Sequence, residues 1–199
     1  MICGIMLAKK GVSIMRKNLG VKTYLYPQPV LIIGTYDENG KPNAMNAAWG
    51  SIADFDKVFV VLAAEHKTTT NLLKNKAFTI ACGDKANLAA CDYVGIVSGN
   101  DEPDKVKKSG FTAVKSEFVN APVFNELPIT LECELLEALP NDMFIGKIIN
   151  VSADEKYLDS KGNPDLSKFT PISFDPANHK YLAVKEAVGA AFSEGAALK

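Results

Sequence analysis

The chain has 199 residues, 47% of them hydrophobic and 23% charged, with a formal net charge of −1. These proportions fit a globular domain with a sizeable core and exclude a disordered or membrane-embedded chain. A nearly neutral balance gives no general attraction for nucleic acid or anionic lipid, so any anion must be held by a local site.

Residues 1–8 are apolar, but they lack a basic leading segment, are too short to span a bilayer and carry no small-residue cleavage site. No targeting signal or anchor is assigned. Met15, followed by Arg16-Lys17-Asn18, is an alternative start, and residues 1–18 read as a poorly ordered N-terminal extension to one domain over 19–199. Residues 30–36 form a β-branched apolar run, and Asp37-Glu38-Asn39-Gly40 supplies a turn that returns the chain through 43–52, a hairpin. Residues 58–62 predict a buried strand, His66 to Leu73 a threonine-capped helix, and 77–82 a returning strand. Short helical pieces around 88–90 and 104–108, the second ended by Gly110, sit in a stretch of loops suited to function. Alternation over 129–135 and again over 143–152 predicts two half-buried strands, 159–164 is a loop, and 181–192 predicts a final helix. Many strands with few helices favour a mainly β fold, a closed antiparallel barrel with peripheral helices. Cys3, Cys82, Cys91 and Cys133 are widely spaced, with no C-x-x-C pair and no histidine at ligand spacing. Reduced thiols of a cytoplasmic protein, without a metal site, are the expectation.

Two segments carry chemistry. Asn43-Ala44-Met45-Asn46-Ala47-Ala48-Trp49-Gly50-Ser51-Ile52 joins small residues, through which a flat ligand can approach the backbone, to two amides and the only tryptophan of the chain. It reads as one wall of a slot for a planar, hydrogen-bonding heterocycle. His66-Lys67-Thr68-Thr69-Thr70 opens a helix with a cation and three hydroxyls, a ready phosphate site. A slot and a phosphate socket together suggest a mononucleotide. Each has a plainer reading: a lone tryptophan is more often a core residue, one hydroxyl suffices to cap a helix, and Lys67 can simply be solvated.

These segments, with Val97-Ser98-Gly99-Asn100-Asp101, Asp104-Lys105, Leu131-Glu132-Cys133 and Phe144-Ile145-Gly146, resemble the flavin reductase-like, FMN-binding split-barrel family, and within it the flavoredoxin group. The resemblance runs from about Leu19 to Phe192. It implies a split β-barrel, a homodimer and FMN near the subunit interface. It makes Asn43, Met45, Asn46, Ala47, Ala48 and Trp49 candidates for the flavin ring, and His66, Lys67, Thr68 and Thr70 candidates for the phosphate. By the same resemblance Lys105 stabilises charge on the reduced ring, against the alternative of a surface lysine among acidic neighbours, and Phe174 covers the ring, against ordinary packing. Many relatives carry Asp-His where this chain has Asp142-Met143, which puts turnover in doubt more than fold or flavin binding. No side chain is assigned as catalytic. With no G-x-G-x-x-G and no P-loop, a nicotinamide donor has no domain of its own and must dock on the flavin. The expected function is an FMN-dependent oxidoreductase moving a hydride from NAD(P)H to flavin and electrons to free flavin or a redox protein. The alternatives are an FMN electron carrier without its own NAD(P)H turnover and a non-catalytic FMN-binding protein.

Overall fold

The structure, a computed structural model, describes residues 16–198. Of the extension read over 1–18, residues 16–18 are exposed and without regular structure; the rest, with the alternative start at Met15, lies outside the described residues. Strands β1 (Gln28–Pro29), β2 (Leu31–Tyr36), β3 (Pro42–Ala47), β4 (Gly50–Asp54) and β5 (Lys57–Val61) precede helix α1 (Lys67–Asn75) and β6 (Ala77–Cys82). Helices α2 (Leu88–Ile96) and α3 (Lys105–Ser109) follow, and then β7 (Ala113–Lys115), β8 (Pro122–Phe124), β9 (Ile129–Leu139), β10 (Met143–Ala153), β11 (Ile172–Asp175) and β12 (Lys180–Ala183).

The expected hairpin is β2 against β3, in register from Leu31 opposite Ala47 to Tyr36 opposite Pro42. Its turn is fixed by the Asp37 carboxylate, which accepts from the backbone N–H groups of Asn39 and Lys41 at 2.8 and 2.9 Å. The 43–52 run, however, is two strands, broken at Ala48 and Trp49. That break shapes the molecule. Seven strands hydrogen-bond in the order β3-β2-β6-β9-β10-β5-β4, so β3 and β4 are the two edges. At about 4.8 Å per strand a flat sheet would set its edges roughly 29 Å apart. Three residues of chain from Ala47 to Gly50 reach at most about 10 Å. The sheet must therefore curl until its edges meet at Ala48 and Trp49, and the Val61 N–H donates to the Trp49 carbonyl at 2.9 Å there.

The inner face is filled by Ile33, Val58, Val60, Leu62, Phe78, Ile80, Cys133 and Phe144, with Leu72 of α1 packed into the same cluster. The fit is close: a Cβ added at Gly146 would lie 2.4 Å from Cζ of Phe78. On the outer face Ile32, Ala44 and Ala81 pack against Cys91 and Val94 of α2 and Val106 of α3. Strand alternation thus sends neighbours such as Ile32 and Ile33 to opposite cores. A smaller sheet, β1-β11-β12, completes the main architecture. The fold is the expected mainly β split barrel with peripheral helices.

Two expectations fail. The C-terminal helix over 181–192 does not form; Tyr181 and Leu182 pair with Phe174 and Ser173 as part of β12, and a 3-10 turn at Glu194–Leu198 is all that follows. Aromatic and β-sheet pairing outweighed a weak helical periodicity interrupted by Gly189. Helix α1 is also not threonine-capped: its N-cap residue is His66, which makes no side-chain cap hydrogen bond. No helix of the described residues is long and apolar enough to cross a membrane.

Candidate functional site

Two clefts lie at opposite ends of β3. The first, about 220 Å³, is lined by Asp37, Lys41, Pro42, Asn43, Lys67, Gly99, Asn100 and Pro103. The second, about 610 Å³, contains Ala48, Trp49, Gly50, Ser51, Gln28, Phe59, Cys82 and Ser173 in its wall, and no charged side chain lines it among the described residues. From Asn43 to Ala48 is five residues of extended chain, roughly 17 Å at the usual rise.

The small cleft is built by cross-links that the strand sequence makes possible. Asn43, a poor residue for a strand interior, is buried and its amide donates to Oγ1 of Thr68 at 2.7 Å, tying β3 to the first turn of α1. Gly99 presses on the same amide, since a Cβ there would sit 2.2 Å from Oδ1 of Asn43 and 3.3 Å from Cβ of Lys67. The Asn100 amide donates to the carbonyl of Glu65 at 3.1 Å, just before the helix. Thr69 donates back to the carbonyls of Ala63 at 2.8 Å and Leu62 at 3.3 Å. With Thr68 and Thr69 thus engaged in the fold, the amides at the start of α1 keep no hydroxyl cap, and the positive end of the helix dipole remains open to an anion. Lys67 has no carboxylate within salt-bridge distance among the described residues. Lys41, which the sequence reading did not single out, is paired with Asp104 at 2.7 Å and holds that carboxyl below the usual range. Its signal was its place two residues before Asn43, at the mouth of the hairpin.

At the large cleft the plainer reading of Trp49 as a core residue does not hold. Trp49 is 55% exposed, no core residue, and stands with Ala48 at the meeting of the sheet edges. The remaining slot candidates look elsewhere. Met45 and Ala47 pack with the inner core. Asn46 faces outward and donates to the carbonyl of Cys91 at 3.1 Å and to the Tyr181 hydroxyl at 3.4 Å. That hydroxyl in turn donates to Asp92 at 2.7 Å, and burial together with this bond pushes it up to about 12. The two asparagines of the strand are therefore accounted for by α1 and α2, not by a polar ligand.

Of the candidates, Asn43 and Lys67 line the small cleft and Ala48 and Trp49 the large one. His66 and Thr70 are exposed at the start of α1. Phe174 is turned to the outer core, its ring centroid 6.2 Å from that of His179 and 6.3 Å from that of Tyr181, while its neighbour Ser173 lines the large cleft. Lys105 is 4% exposed; its ammonium donates to the carbonyls of Val97 at 2.8 Å and Val94 at 3.1 Å, and burial pushes it down to about 8. It is neither a surface lysine nor a member of either cleft lining. Met143 opens β10 opposite Val61, and the Leu62 N–H donates to the carbonyl of Asp142 at 2.9 Å, so the departure from Asp-His falls beside the strand that leads into α1. No group of three or more His, Cys, Asp or Glu side chains is placed to hold a metal among the described residues.

The donor set fits a flavin mononucleotide: a lysine and an uncapped helix start for a phosphate, and an uncharged, largely apolar cleft for the ring. A family model described as flavin reductase like domain matches residues 23–166. The structure is similar to the flavoredoxin of Desulfovibrio vulgaris (Miyazaki F), with 38% identity, a TM-score of 0.87, and coverage of 91% of this chain and 100% of that one. It is also similar to a flavoredoxin of Methanosarcina acetivorans, with 27% identity, a TM-score of 0.82, and coverage of 94% and 100%. An uncharacterized protein of Pyrococcus abyssi is 30% identical over 149 residues, 71% of this chain and 83% of that protein. The chain belongs to the flavin reductase-like family.

Proposed function

We propose that this member of the flavin reductase-like family binds FMN, with the phosphate in the Lys67 cleft and the ring against Ala48 and Trp49, and acts as an oxidoreductase. Electrons would enter as hydride from NAD(P)H and leave to free flavin or a redox partner. The observation that carries the reading is the pairing of a cleft that bears Lys67, unpaired among the described residues, with an uncharged cleft at the two ends of one strand, a span suited to a ring and a phosphate joined by a ribityl chain. Bound flavin supplies the hydride and electron-transfer chemistry; the chain supplies binding, orientation and electrostatics. Lys67 and the first amides of α1 hold the phosphate. Small side chains at Ala48 and Gly50 leave the backbone approachable, and the apolar walls around Trp49 keep water from the ring. No side chain is assigned a proton-transfer step.

The reading includes a homodimer in the cytoplasm. Ile52 and Phe55 on the β4–β5 edge hairpin are 61% and 106% exposed, an apolar edge that a second copy would cover. Sedimentation equilibrium tests this, and a monomer at micromolar concentration would remove it. Described cysteines Cys82, Cys91 and Cys133 are free thiols, in keeping with a reducing compartment.

A second reading, an FMN electron carrier to a protein partner with no NAD(P)H turnover of its own, is favoured by one feature. Among the described residues the large cleft offers no cation to a dinucleotide pyrophosphate. Anaerobic mixing of the FMN-loaded protein with NADH or NADPH separates the two: bleaching of the flavin absorbance faster than in free FMN supports the reductase. Photoreduction without nicotinamide-dependent bleaching supports the carrier.

A further inference from the structure

We propose that Lys105 is a positioning residue for the small cleft: its ammonium fastens the end of α2 so that Gly99 and Asn100 close against Lys67, and it does so without touching the bound nucleotide. The inference rests on the reading of that cleft as the phosphate site. Lys105 heads α3, yet its side chain runs back beneath the C-terminus of α2, where it donates to the carbonyls of Val94 and Val97. Those carbonyls are at the negative end of the helix dipole and have no further turn of helix to bond. A cation removed from water at 4% exposure is costly, and carbonyl oxygens at a helix end are the partners that offset the cost. Burial pushes this amine down to about 8, and among the described residues no carboxylate lies within salt-bridge distance of it.

The consequence is transmitted through a short loop. Two residues beyond Val97, Gly99 meets the Asn43 amide with no room for a Cβ, and Asn100 is bound to the carbonyl of Glu65. Asn43 in turn holds Thr68 in the first turn of α1. The loop is thereby clamped on one side by Lys105 and on the other by the strand and helix that present Lys67. Release of the Lys105 clamp lets residues 98–100 draw back and opens the cleft at its phosphate end. The Trp49 cleft, at the other end of β3, shares none of these contacts.

The test titrates the full-length protein with FMN and with riboflavin, which lacks the phosphate, in wild type, Lys105→Met, Gly99→Ala and Lys67→Ala, and measures the midpoint potential of bound FMN. Lys105→Met is expected to weaken FMN about tenfold and riboflavin less than about twofold, the scale at which orienting partners act elsewhere, with the potential unchanged. Gly99→Ala, which displaces the same loop with the lysine intact, is expected to give the same selective loss, and a variant that combines Lys105→Met with Gly99→Ala no more than the larger single loss. A shifted potential in Lys105→Met would mean that the lysine touches the ring and would overturn the proposal. So would equal loss of FMN and riboflavin in Lys105→Met while Lys67→Ala remains selective for FMN. Equal loss of both ligands in Lys67→Ala would instead remove the phosphate reading itself. Should Lys105→Met fail to fold, Gly99→Ala decides, and its failure to discriminate FMN from riboflavin overturns the loop mechanism.

Discussion

Replacing Lys67 with alanine tests the charge arrangement on which the functional reading depends. The small cleft presents Lys41 and Lys67 against Asp37, and Lys41 is already matched by Asp104 at 2.7 Å. Without Lys67 the remaining lysine is fully paired, the Asp37 carboxylate is left over, and the cleft changes from balanced to negative. A charge-assisted hydrogen bond is worth about 1.5–3 kcal/mol, so the loss predicts a rise in the FMN dissociation constant of roughly tenfold to a hundredfold. The open helix start continues to attract the phosphate, which keeps the effect from being larger. Riboflavin should bind within about twofold of wild type, because its ring and ribityl chain keep every contact at the Trp49 end. Lys67→Arg should retain most of the FMN affinity, and wild-type binding should weaken with added salt more steeply than that of Lys67→Ala. Quenching of flavin fluorescence on titration measures all of these. Equal weakening of FMN and riboflavin, or a salt dependence unchanged by the substitution, would refute the assignment of the phosphate to this cleft.

Three further outcomes are expected. Ala48→Leu should give a folded, colourless protein that has lost both FMN and riboflavin, since the added side chain enters the large cleft; a yellow variant of unchanged affinity would place the ring elsewhere. Gly146→Ala should destabilise the barrel by about 1–3 kcal/mol in urea unfolding, because its Cβ meets the Phe78 ring at 2.4 Å in a filled core, and an unaffected midpoint would mean that the core has slack. Stability above pH 8 is expected to carry two opposed contributions. Burial holds the Cys91 and Cys133 thiols up at about 12, so the folded chain keeps protons there that the unfolded chain releases near 9, and stability falls as pH rises through that interval. Lys105 acts the other way: it loses its proton near 8 when folded and near 10.5 when unfolded, so its contribution rises with pH between those values. The difference between wild type and Lys105→Met, followed by urea midpoints from pH 7 to 10.5, isolates the second effect, and a difference that does not grow with pH would contradict it.

The hairpin of β2 and β3, the β9–β10 pair and the strand after α1 were legible because each combines a strict side-chain period with turn residues that leave few alternatives. Asp37 bonds its own turn, and Asn141 and Asp142, at φ 63 and 60, adopt the left-handed conformations that a tight hairpin connection requires. What composition and period could not reveal was the break at Ala48 and Trp49. Both residues are compatible with continuing the strand, and only the need to join the two edges of a seven-stranded sheet forces the chain to leave it. The C-terminal error has the same origin. Tyr181 and Leu182 become strand residues because Ser173 and Phe174 offer an unpaired edge, a partner remote from the local sequence pattern.

At the site, residue type was a better guide than residue role. Asn43 and Asn46 stand out in a strand because something polar must satisfy them, and that inference holds. Their partners, however, are Thr68 and the carbonyl of Cys91, groups distant in sequence that no local pattern reveals. The three threonines show the same limit. Helix-start composition drew the reading to the first turn of α1, yet two of the hydroxyls there lock the helix to its neighbours and leave its first backbone amides without a side-chain cap. Lys105 carries this furthest. Its charge suggested a contact with an anionic ring, whereas its burial directs it to helix carbonyls. A lysine can serve a negative ligand by binding it or by building the wall that does, and sequence spacing is the same in both cases. Only the depth of the ammonium separates them, and at 4% exposure with two carbonyl partners it stands behind the cleft rather than in it.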